Sequence, residues 1–153
     1  MGIKIIATNK KAFHDYFIDD VVEAGLVLTG TEVKSLRLGK VNLKEAFCRI
    51  KDGEVFINNM NISPYEQGGR ENPDPTRMRK LLLHRDEILK LARKVDEKGL
   101  SLVPTKIYFK ESRVKLEIGI GRGKKLHDKR ETLKGKEADR EMAKAIKNVR
   151  REG

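Results

Sequence analysis

Alternating apolar and polar positions predict a β-hairpin at residues 47–58 of the chain. Asp52 and Gly53 mark its two-residue turn, because a type I′ turn needs positive φ angles that both residue types tolerate. The register of this turn puts two apolar pairs on one face and a third pair on the other: Ile50 with Val55, Cys48 with Ile57, and Arg49 with Phe56. Cys48 is therefore expected to be a small core residue rather than a reactive thiol.

A second hairpin is predicted at residues 105–120, about a turn at residues 111–113. Along its second strand, apolar side chains alternate with polar or small ones: Val114, Leu116, Ile118 and Ile120 alternate with Lys115, Glu117 and Gly119. Lys115 is therefore expected to point away from the apolar face. Pro104 is expected at the start of the first strand, where the N–H that proline lacks matters least.

Two helices are predicted between the strands. The first has Thr31 as its N-cap and ends at Gly39. Its residues are expected to divide into an inward and an outward set: Val33 and Leu36 inward, and Glu32, Lys34 and Arg37 outward. The second helix spans residues 85–98 and ends at Gly99. Its apolar residues have helical spacing: Ile88, Leu91, Ala92 and Val95.

The order of these elements indicates a mainly β (α+β) fold. Residues 63–80 are rich in Gly, Pro and polar side chains and are expected to be irregular. An antiparallel sheet with a few helices favours a small barrel of the oligonucleotide-binding (OB) type. We expect this barrel to form a body at residues 1–121, followed by a basic C-terminal tail at residues 122–153.

The charge of the chain predicts a polyanionic partner. Its 34 Lys and Arg exceed its 23 Asp and Glu, the net charge is +11, and the pI is near 9.8, a balance that attracts phosphates. Residues 122–153 hold 12 Lys or Arg and 6 Asp or Glu, which is +6 of the total. A compact body with such a tail suggests that the protein holds one nucleic acid and reaches toward another.

The remaining composition is typical of a cytoplasmic protein. No apolar segment has the roughly 20 residues that a membrane-spanning helix needs, and the N-terminus lacks the apolar core of a secretion signal. The one cysteine cannot form an internal disulfide, which suits a reducing compartment. The protein is expected to be a monomer.

Patterns of catalysis or metal binding are weak. The adjacent pairs His14-Asp15 and His127-Asp128 lack metal-ligand spacing and a third ligand. Residues 119–125 read GIGRGKK and match neither a P-loop nor a dinucleotide-binding motif. Lys124 stands where the dinucleotide-binding motif requires its last glycine. We expect no enzyme activity, no metal and no cofactor. A metal nuclease is disfavoured but stays open, because carboxylates occur in several elements: Glu45, Asp74 and Glu117.

Three segments resemble the signature motifs of the SsrA-binding protein family, small protein B. They are residues 9–40, 75–88 and 121–131, which read NKKAFHDYFIDDVVEAGLVLTGTEVKSLRLGK, PTRMRKLLLHRDEI and GRGKKLHDKRE. The resemblance implies an OB-type barrel with added helices and a function without catalysis. It further implies binding of transfer-messenger RNA (SsrA RNA), delivery of that RNA to stalled ribosomes in trans-translation, and an indirect association with elongation factor Tu bound to the charged RNA.

The resemblance assigns RNA contacts to Asn9, Glu23, Leu82 and Lys115. Lys115 suits a phosphate, while Asn9 and Glu23 can hydrogen-bond sugar hydroxyls or base edges. The leucines at 81–83 cannot all face inward from an extended segment, so one is expected to be exposed, and an exposed Leu82 could pack on an unstacked base. Each of these residues could instead have a structural or solvated role.

Other residues add candidate RNA contacts. His14 and Tyr16 could stack on bases, although Tyr16 could equally belong to the core. The basic candidates lie in or beside the motifs: Lys34, Arg37, Lys80, Arg122, Lys124 and Lys125. Tryptophan is absent and aromatic residues make up 5% of the chain, which favours recognition of a folded RNA by shape and backbone over general single-strand binding.

The resemblance also implies a role for the tail, which in this family enters the decoding centre and messenger channel of the ribosome. The residues assigned to that role are His127, Asp128, Lys129, Arg130 and, on an apolar stripe among good helix formers, Ile146. So short a helix is marginal alone, so we expect the tail to be disordered when free and helical on the ribosome. A nonspecific electrostatic tether is the alternative.

Two other functions share this composition. A ribosomal or ribosomal-RNA-binding protein with a basic extension would bind ribosomes without transfer-messenger RNA. A nuclease or RNA-modifying enzyme on a small barrel would lose its activity when one carboxylate or histidine is replaced. The RNA that is recovered with the protein from cells separates the first of these from the family's function, and metal-dependent cleavage identifies the second.

Overall fold

The computed structural model of the protein describes residues 2–124. This part of the chain contains nine strands, three α-helices and one 3-10 helix. In chain order the elements are β1 (Ile3–Thr8), α1 (Lys10–Asp15), β2 (Tyr16–Leu26), α2 (Gly30–Arg37), β3 (Val41–Asn42), β4 (Phe47–Lys51), β5 (Glu54–Asn58), β6 (Asn61–Ile62), the 3-10 helix (Glu66–Glu71), β7 (Arg79–Leu82), α3 (Arg85–Lys98), β8 (Ser101–Lys110) and β9 (Arg113–Gly123).

Seven strands form one antiparallel sheet in the order β1-β8-β9-β2-β7-β5-β4, and β3 pairs separately with β6. Strand β4 approaches β8, so the sheet curls into an open barrel. Apolar side chains from the strands and from α2 and α3 fill its interior, where Ile57, Ile107, Leu116 and Ile118 are completely buried. The predicted fold, a mainly β OB-type barrel with accessory helices, is confirmed.

The first predicted hairpin is β4–β5, and its register is confirmed at every predicted pair: Cys48 with Ile57, Ile50 with Val55, and Arg49 with Phe56. Asp52 and Gly53 have φ angles of 53° and 76°, as a type I′ turn requires. Cys48 is a buried core residue, as predicted. Burial raises the pKa of its thiol, which suppresses the reactive thiolate.

The turn of the second hairpin is shorter than predicted. Glu111 and Ser112 alone form it, both with positive φ, because Lys110 pairs with Arg113. The expectation for Pro104 was wrong, since this residue lies inside β8 rather than at its start. The register of the β8–β9 ladder shifts directly after it, and such a bulge tolerates a residue without a backbone N–H.

Strand β9 continues three residues beyond Ile120, where the hairpin was expected to end. Gly121, Arg122 and Gly123 pair with the first residues of β2. A Cβ on Gly121 would lie 2.0 Å from the carbonyl oxygen of Phe17, so this close approach of two backbones requires glycine. The apolar alternation ends at Ile120, whereas backbone pairing does not.

Helix α3 spans Arg85–Lys98 and ends at Gly99 in the left-handed region, as predicted. The N-cap of α2 was predicted wrongly, because the cap is Thr29 and Thr31 lies within the helix. The Thr29 hydroxyl accepts a hydrogen bond from the N–H of Glu32 at 3.3 Å, and the Glu32 carboxylate accepts one from the N–H of Thr29 at 2.9 Å. This reciprocal capping box decides where the helix begins.

Two further features differ from the sequence expectations. Helix α1 has only six residues, too few for an apolar spacing to reveal it. Residues 63–80, expected to be irregular, contain the 3-10 helix and the first residues of β7. Strand β7 has four residues, and its place between β2 and β5 is set by pairing partners from distant parts of the chain.

Glu32 is buried, contrary to the expectation that it is exposed, and its side chain retains 2% exposure. Its carboxylate accepts hydrogen bonds from Nη2 and Nε of Arg77 at 2.7 and 3.1 Å and from Nε of Arg79 at 2.6 Å. Burial opposes ionisation, but the hydrogen bonds from Arg77, Thr29 and Arg79 hold the pKa of Glu32 below its ordinary value. Arg79 is itself fully buried. It also donates to three backbone carbonyls: those of Met60, Arg77 and Pro75.

We expect Glu32→Gln to lower the free energy of unfolding by about 3–5 kcal/mol, because the change leaves two arginines without their buried counter-charge. The depressed pKa means that the ionised carboxylate contributes its full stability above its ordinary pKa of 4.5. This contribution is lost as the pH falls through the lower pKa of the folded state. Urea titrations from pH 6 down to about pH 3 should therefore show a steeper acid loss in the wild type than in Glu32→Gln.

Glu45→Gln is the matched control, because it removes an exposed carboxylate that pairs with Lys11 at the surface. It should change the free energy of unfolding by less than about 1 kcal/mol. Equal losses in the two variants would contradict the buried role of Glu32.

Candidate nucleic-acid interface

A groove of about 750 Å³ opens at the surface where β7, β2 and β9 lie side by side. Three of the residues predicted to contact RNA line it together: Glu23, Leu82 and Lys115. They come from three different strands and are far apart in the sequence. The tertiary fold brings them together.

The strand register explains this assembly. Gly25 of β2 pairs with Leu82 of β7 on one side and with Lys115 of β9 on the other, so the three positions form one row across the sheet. A Cβ on Gly25 would lie 3.3 Å from the Cβ of Leu82. The row therefore leaves bare backbone between an apolar side chain and a cation.

Glu23 supplies an ionised acceptor to the same groove. One carboxylate oxygen accepts a hydrogen bond from the Tyr108 hydroxyl, and the other lies 3.4 Å from Nζ of Lys110. The Tyr108 hydrogen bond lowers the pKa of Glu23 most, partial burial opposes it, and Lys110 adds to the lowering. An acceptor, a cation and an apolar surface in one groove match the hydroxyls, phosphates and base faces of an RNA nucleotide.

The three leucines at the end of β7 divide as the strand alternation requires. Leu81 is 1% exposed and belongs to the core, whereas Leu82 is 51% exposed. Leu83, one residue beyond the strand, is half-buried. The expectation that one leucine of this group is exposed is confirmed, and its packing on a base stays a prediction.

Asn9 lies outside the groove and is buried in the fold. Its amide nitrogen donates to the carbonyls of Leu43 and Pro104 at 3.2 and 2.9 Å, and its Oδ1 accepts from the N–H of Ala12, which caps α1. Each polar atom of the side chain thus serves the fold. A direct RNA contact stays a prediction, and the geometry favours an indirect role through the position of α1.

Four other predicted residues lie near the opposite end of β2: His14, Tyr16, Arg122 and Lys124. Tyr16 is half-buried and Arg122 exposed where β2 pairs with the end of β9. Nζ of Lys124 donates to the carbonyl oxygen of Phe13 at 3.0 Å and lies 4.9 Å from the centre of the Phe17 ring. His14 is exposed on α1. The Tyr16 end of β2 therefore presents cations and aromatic rings close to Lys124, the last described residue.

Three predicted basic residues line neither this groove nor the smaller hollow of about 290 Å³ beside Asn9: Lys34, Arg37 and Lys80. Nζ of Lys34 lies 5.5 Å from the centre of the Tyr65 ring. Lys80 forms an exposed ion pair with Glu54 at 2.8 Å, and Arg37 is exposed in the last turn of α2. Their contacts with RNA stay predictions.

Three residues at or beside the groove were not predicted from the sequence: Gly25, which lines it, and Tyr108 and Lys110, which contact Glu23. A signal for Tyr108 was present, because pairing Lys110 with Arg113 places Tyr108 directly opposite Lys115. The predicted turn, residues 111–113, is one residue too long, so the pairing of Tyr108 with Lys115 did not follow from it.

Residues 2–124 contain no group of three or more His, Cys, Asp or Glu that could hold a metal ion. In the same part of the chain, no helix is long and apolar enough to cross a membrane. The following predicted residues lie outside the described range: Lys125, His127, Asp128, Lys129, Arg130 and Ile146. The division into a body at 1–121 and a tail at 122–153, and the behaviour of that tail, stay predictions.

Comparison with known proteins gives matches along nearly the whole chain. Residues 6–148 match a family model described as SmpB protein. The SsrA-binding protein of Syntrophotalea carbinolica is 78% identical over 148 residues, which are 97% of this chain and 99% of that protein. The SsrA-binding protein of Geobacter metallireducens is 56% identical over 147 residues, 96% of each chain.

A solved structure is similar as well. It comes from work on tmRNA-SmpB at the centre of the bacterial ribosome, and its chain is 46% identical to this one with a TM-score of 0.68. The match covers 92% of this chain and 96% of that chain.

The two neighbouring leucines of β7 should respond differently to truncation. We expect Leu81→Ala to lower the free energy of unfolding by about 2–5 kcal/mol, because it opens a cavity in the core. Leu82→Ala should cost less than about 1 kcal/mol, because half of the side chain is already solvated. Urea titrations measure both values, and a large loss for Leu82→Ala would show that Leu82 serves the core instead of the groove.

Proposed function

Because the chain belongs to the SsrA-binding protein (SmpB) family, we propose that it binds transfer-messenger RNA and delivers it to stalled ribosomes in trans-translation. The observation that carries this proposal is the groove that brings Glu23, Leu82 and Lys115 together. The names of the relatives, SsrA-binding proteins, support an RNA ligand, and the ribosomal setting of the similar solved chain supports the site of action. In this proposal the protein is a cytoplasmic monomer without enzymatic activity, and elongation factor Tu joins through the charged RNA.

The chemistry of the groove suits an unpaired nucleotide of a folded RNA. The Lys115 ammonium binds a phosphate, and the exposed Leu82 side chain packs on a base face. The Glu23 carboxylate accepts a hydrogen bond from a ribose hydroxyl or an amino group of a base, since phosphate would repel it. The bare backbone at Gly25 lets the nucleotide lie between these side chains.

The position at which the tail begins supports a second contact. Strand β2 has 11 residues and at about 3.3 Å per residue spans roughly 35 Å. The groove lies near its Leu26 end, whereas β9 delivers the chain to the Tyr16 end. A nucleotide in the groove thus lies away from the start of the tail, and residues 122–153 enter the decoding centre and messenger channel in this proposal.

The second candidate function is a ribosomal-RNA-binding protein without specificity for transfer-messenger RNA. The net charge of +11 favours it, because such a field attracts any RNA. Crosslinking the protein in cells and sequencing the bound RNA tests both functions. Enrichment of one structured transfer-messenger RNA supports the proposal, whereas ribosomal RNA alone supports the second candidate.

Substitutions at two groove residues should separate charge from hydrogen bonding. Lys115→Ala should weaken binding of transfer-messenger RNA and lower the salt slope of the affinity by about one unit or less, the loss of one phosphate contact. Lys115→Glu should cost more because it adds repulsion. Glu23→Gln should weaken binding with little change in the salt slope. Lys51→Ala, an exposed change in the β4–β5 hairpin, is the control, and unchanged binding in all groove variants would contradict the site.

The tail should be dispensable for RNA affinity and essential for tagging. Changing Asp128, Lys129 and Arg130 together to Ala should leave the affinity for transfer-messenger RNA within about tenfold, since the tail adds only screened charge. Peptide tagging on stalled ribosomes should be lost, because the changed residues would act in the decoding centre. A filter-binding assay and a reconstituted tagging assay measure the two outcomes.

A charge-matched control lies nearby in the tail. Replacing Lys134, Lys136 and Glu137 together with Ala also removes two cations and one anion. If this variant lost tagging as completely as the first one, the tail would act as a nonspecific tether.

A further inference from the structure

Glu23 lies among charges of both signs. It pairs directly with Glu117 across β2 and β9, and like charges at opposed positions repel. Glu117 is held by the Thr105 hydroxyl at 2.6 Å and by Lys106 at 3.7 Å. Lys115, two pairs further along the ladder and on the same face, is close enough to help lower the pKa of Glu23. The Glu23 carboxylate therefore has a like-charged residue, Glu117, as its cross-strand pair and a cation, Lys115, further along the same face.

Tyr108 is the group that holds this carboxylate in place. The residue is 3% exposed, and its hydroxyl donates to Glu23. Burial and the neighbouring carboxylate raise the pKa of Tyr108 well above its ordinary value, so the hydroxyl keeps the proton that it donates. Lys106 lies over the ring at 6.0 Å from its centre. The ring is fixed by packing, and the hydroxyl has a fixed direction as a result.

Loss of this hydrogen bond would let the carboxylate move. Lys110, its other partner, is exposed and 3.4 Å away, so it restrains Glu23 only weakly. The attraction of Lys115, which already helps to lower the pKa of Glu23, then favours rotation of Glu23 toward that cation. An ion pair between Glu23 and Lys115 would make the carboxylate unavailable to the RNA, and it would also neutralise the charge of Lys115.

We propose that Tyr108 is a positioning residue for RNA binding, whose hydroxyl keeps the Glu23 carboxylate available to the RNA and leaves the charge of Lys115 for a phosphate. The inference rests on the proposed function of the groove and assigns no contact between Tyr108 and the RNA.

Tyr108→Phe tests this role, because it removes one oxygen atom and keeps the packed ring. We expect the affinity for transfer-messenger RNA to fall about three- to tenfold, the loss of one oriented hydrogen bond. The salt slope of binding should also fall, since Glu23 now competes with phosphate for Lys115. A purely structural role would leave this slope unchanged. Tyr65→Phe is the matched control and should bind like the wild type, with thermal unfolding recorded for both variants.

A double-mutant cycle with Glu23→Gln completes the test. If Tyr108 acts through Glu23, Tyr108→Phe should change affinity and salt slope little in the Glu23→Gln background. Wild-type affinity in Tyr108→Phe, or an equal loss in both backgrounds, overturns the positioning role while the proposed function stands. Failure of the wild type itself to prefer transfer-messenger RNA over ribosomal RNA overturns both.

Discussion

The carboxylate of Glu32, buried between Arg77 and Arg79, joins α2 to the beginning of β7. Such an ion pair costs desolvation energy and stabilises a fold only when its hydrogen bonds are satisfied. Here both carboxylate oxygens accept hydrogen bonds from the arginines, and Arg79 also donates hydrogen bonds to three backbone carbonyls. Because Arg79 begins β7 and Leu82 ends it, the same cluster sets where Leu82 stands beside Gly25. The groove thus depends on an interaction outside its own lining.

In the proposed function, affinity and discrimination have different sources. The net charge of +11 draws any polyanion toward the surface. The ionised Glu23 opposes this attraction locally, because it repels a phosphate. It binds favourably only to a hydrogen-bond donor. Tyr108 and Lys110 keep the carboxylate ionised in the groove. If the groove binds RNA as proposed, an acidic side chain beside Lys115 adds selectivity that a uniformly basic groove would lack.

Strand β2 connects the groove with the end of β9. It contributes Glu23 and Gly25 to the groove, and its other end pairs with the last residues of β9. Strand β2 pairs with β9 from Tyr16 to Gly25 and with β7 at Gly25 and Leu26. The distance between the groove and the last residues of β9 is therefore set by the β2–β9 ladder. Near the end of this ladder, the close approach of two backbones at Gly121 requires a residue without a Cβ.

The sequence by itself determined the features whose signals are local. The β4–β5 register follows from Asp52-Gly53 and the alternation around it, and α3 follows from its apolar spacing and Gly99. The exposure of one leucine in the group that contains Leu82 follows from the geometry of an extended segment. Motif resemblance indicated the family. Only the tertiary structure decided that Glu32 is buried, because its arginine partners come from a segment 45 residues away.

The structure likewise decided that the Asn9 amide serves the fold and that Tyr108 restrains the acceptor of the groove. These roles depend on which side chains meet across strands and loops. Local patterns report the conformation of a few neighbouring residues, whereas burial and ion pairing depend on partners that only the assembled barrel brings into contact.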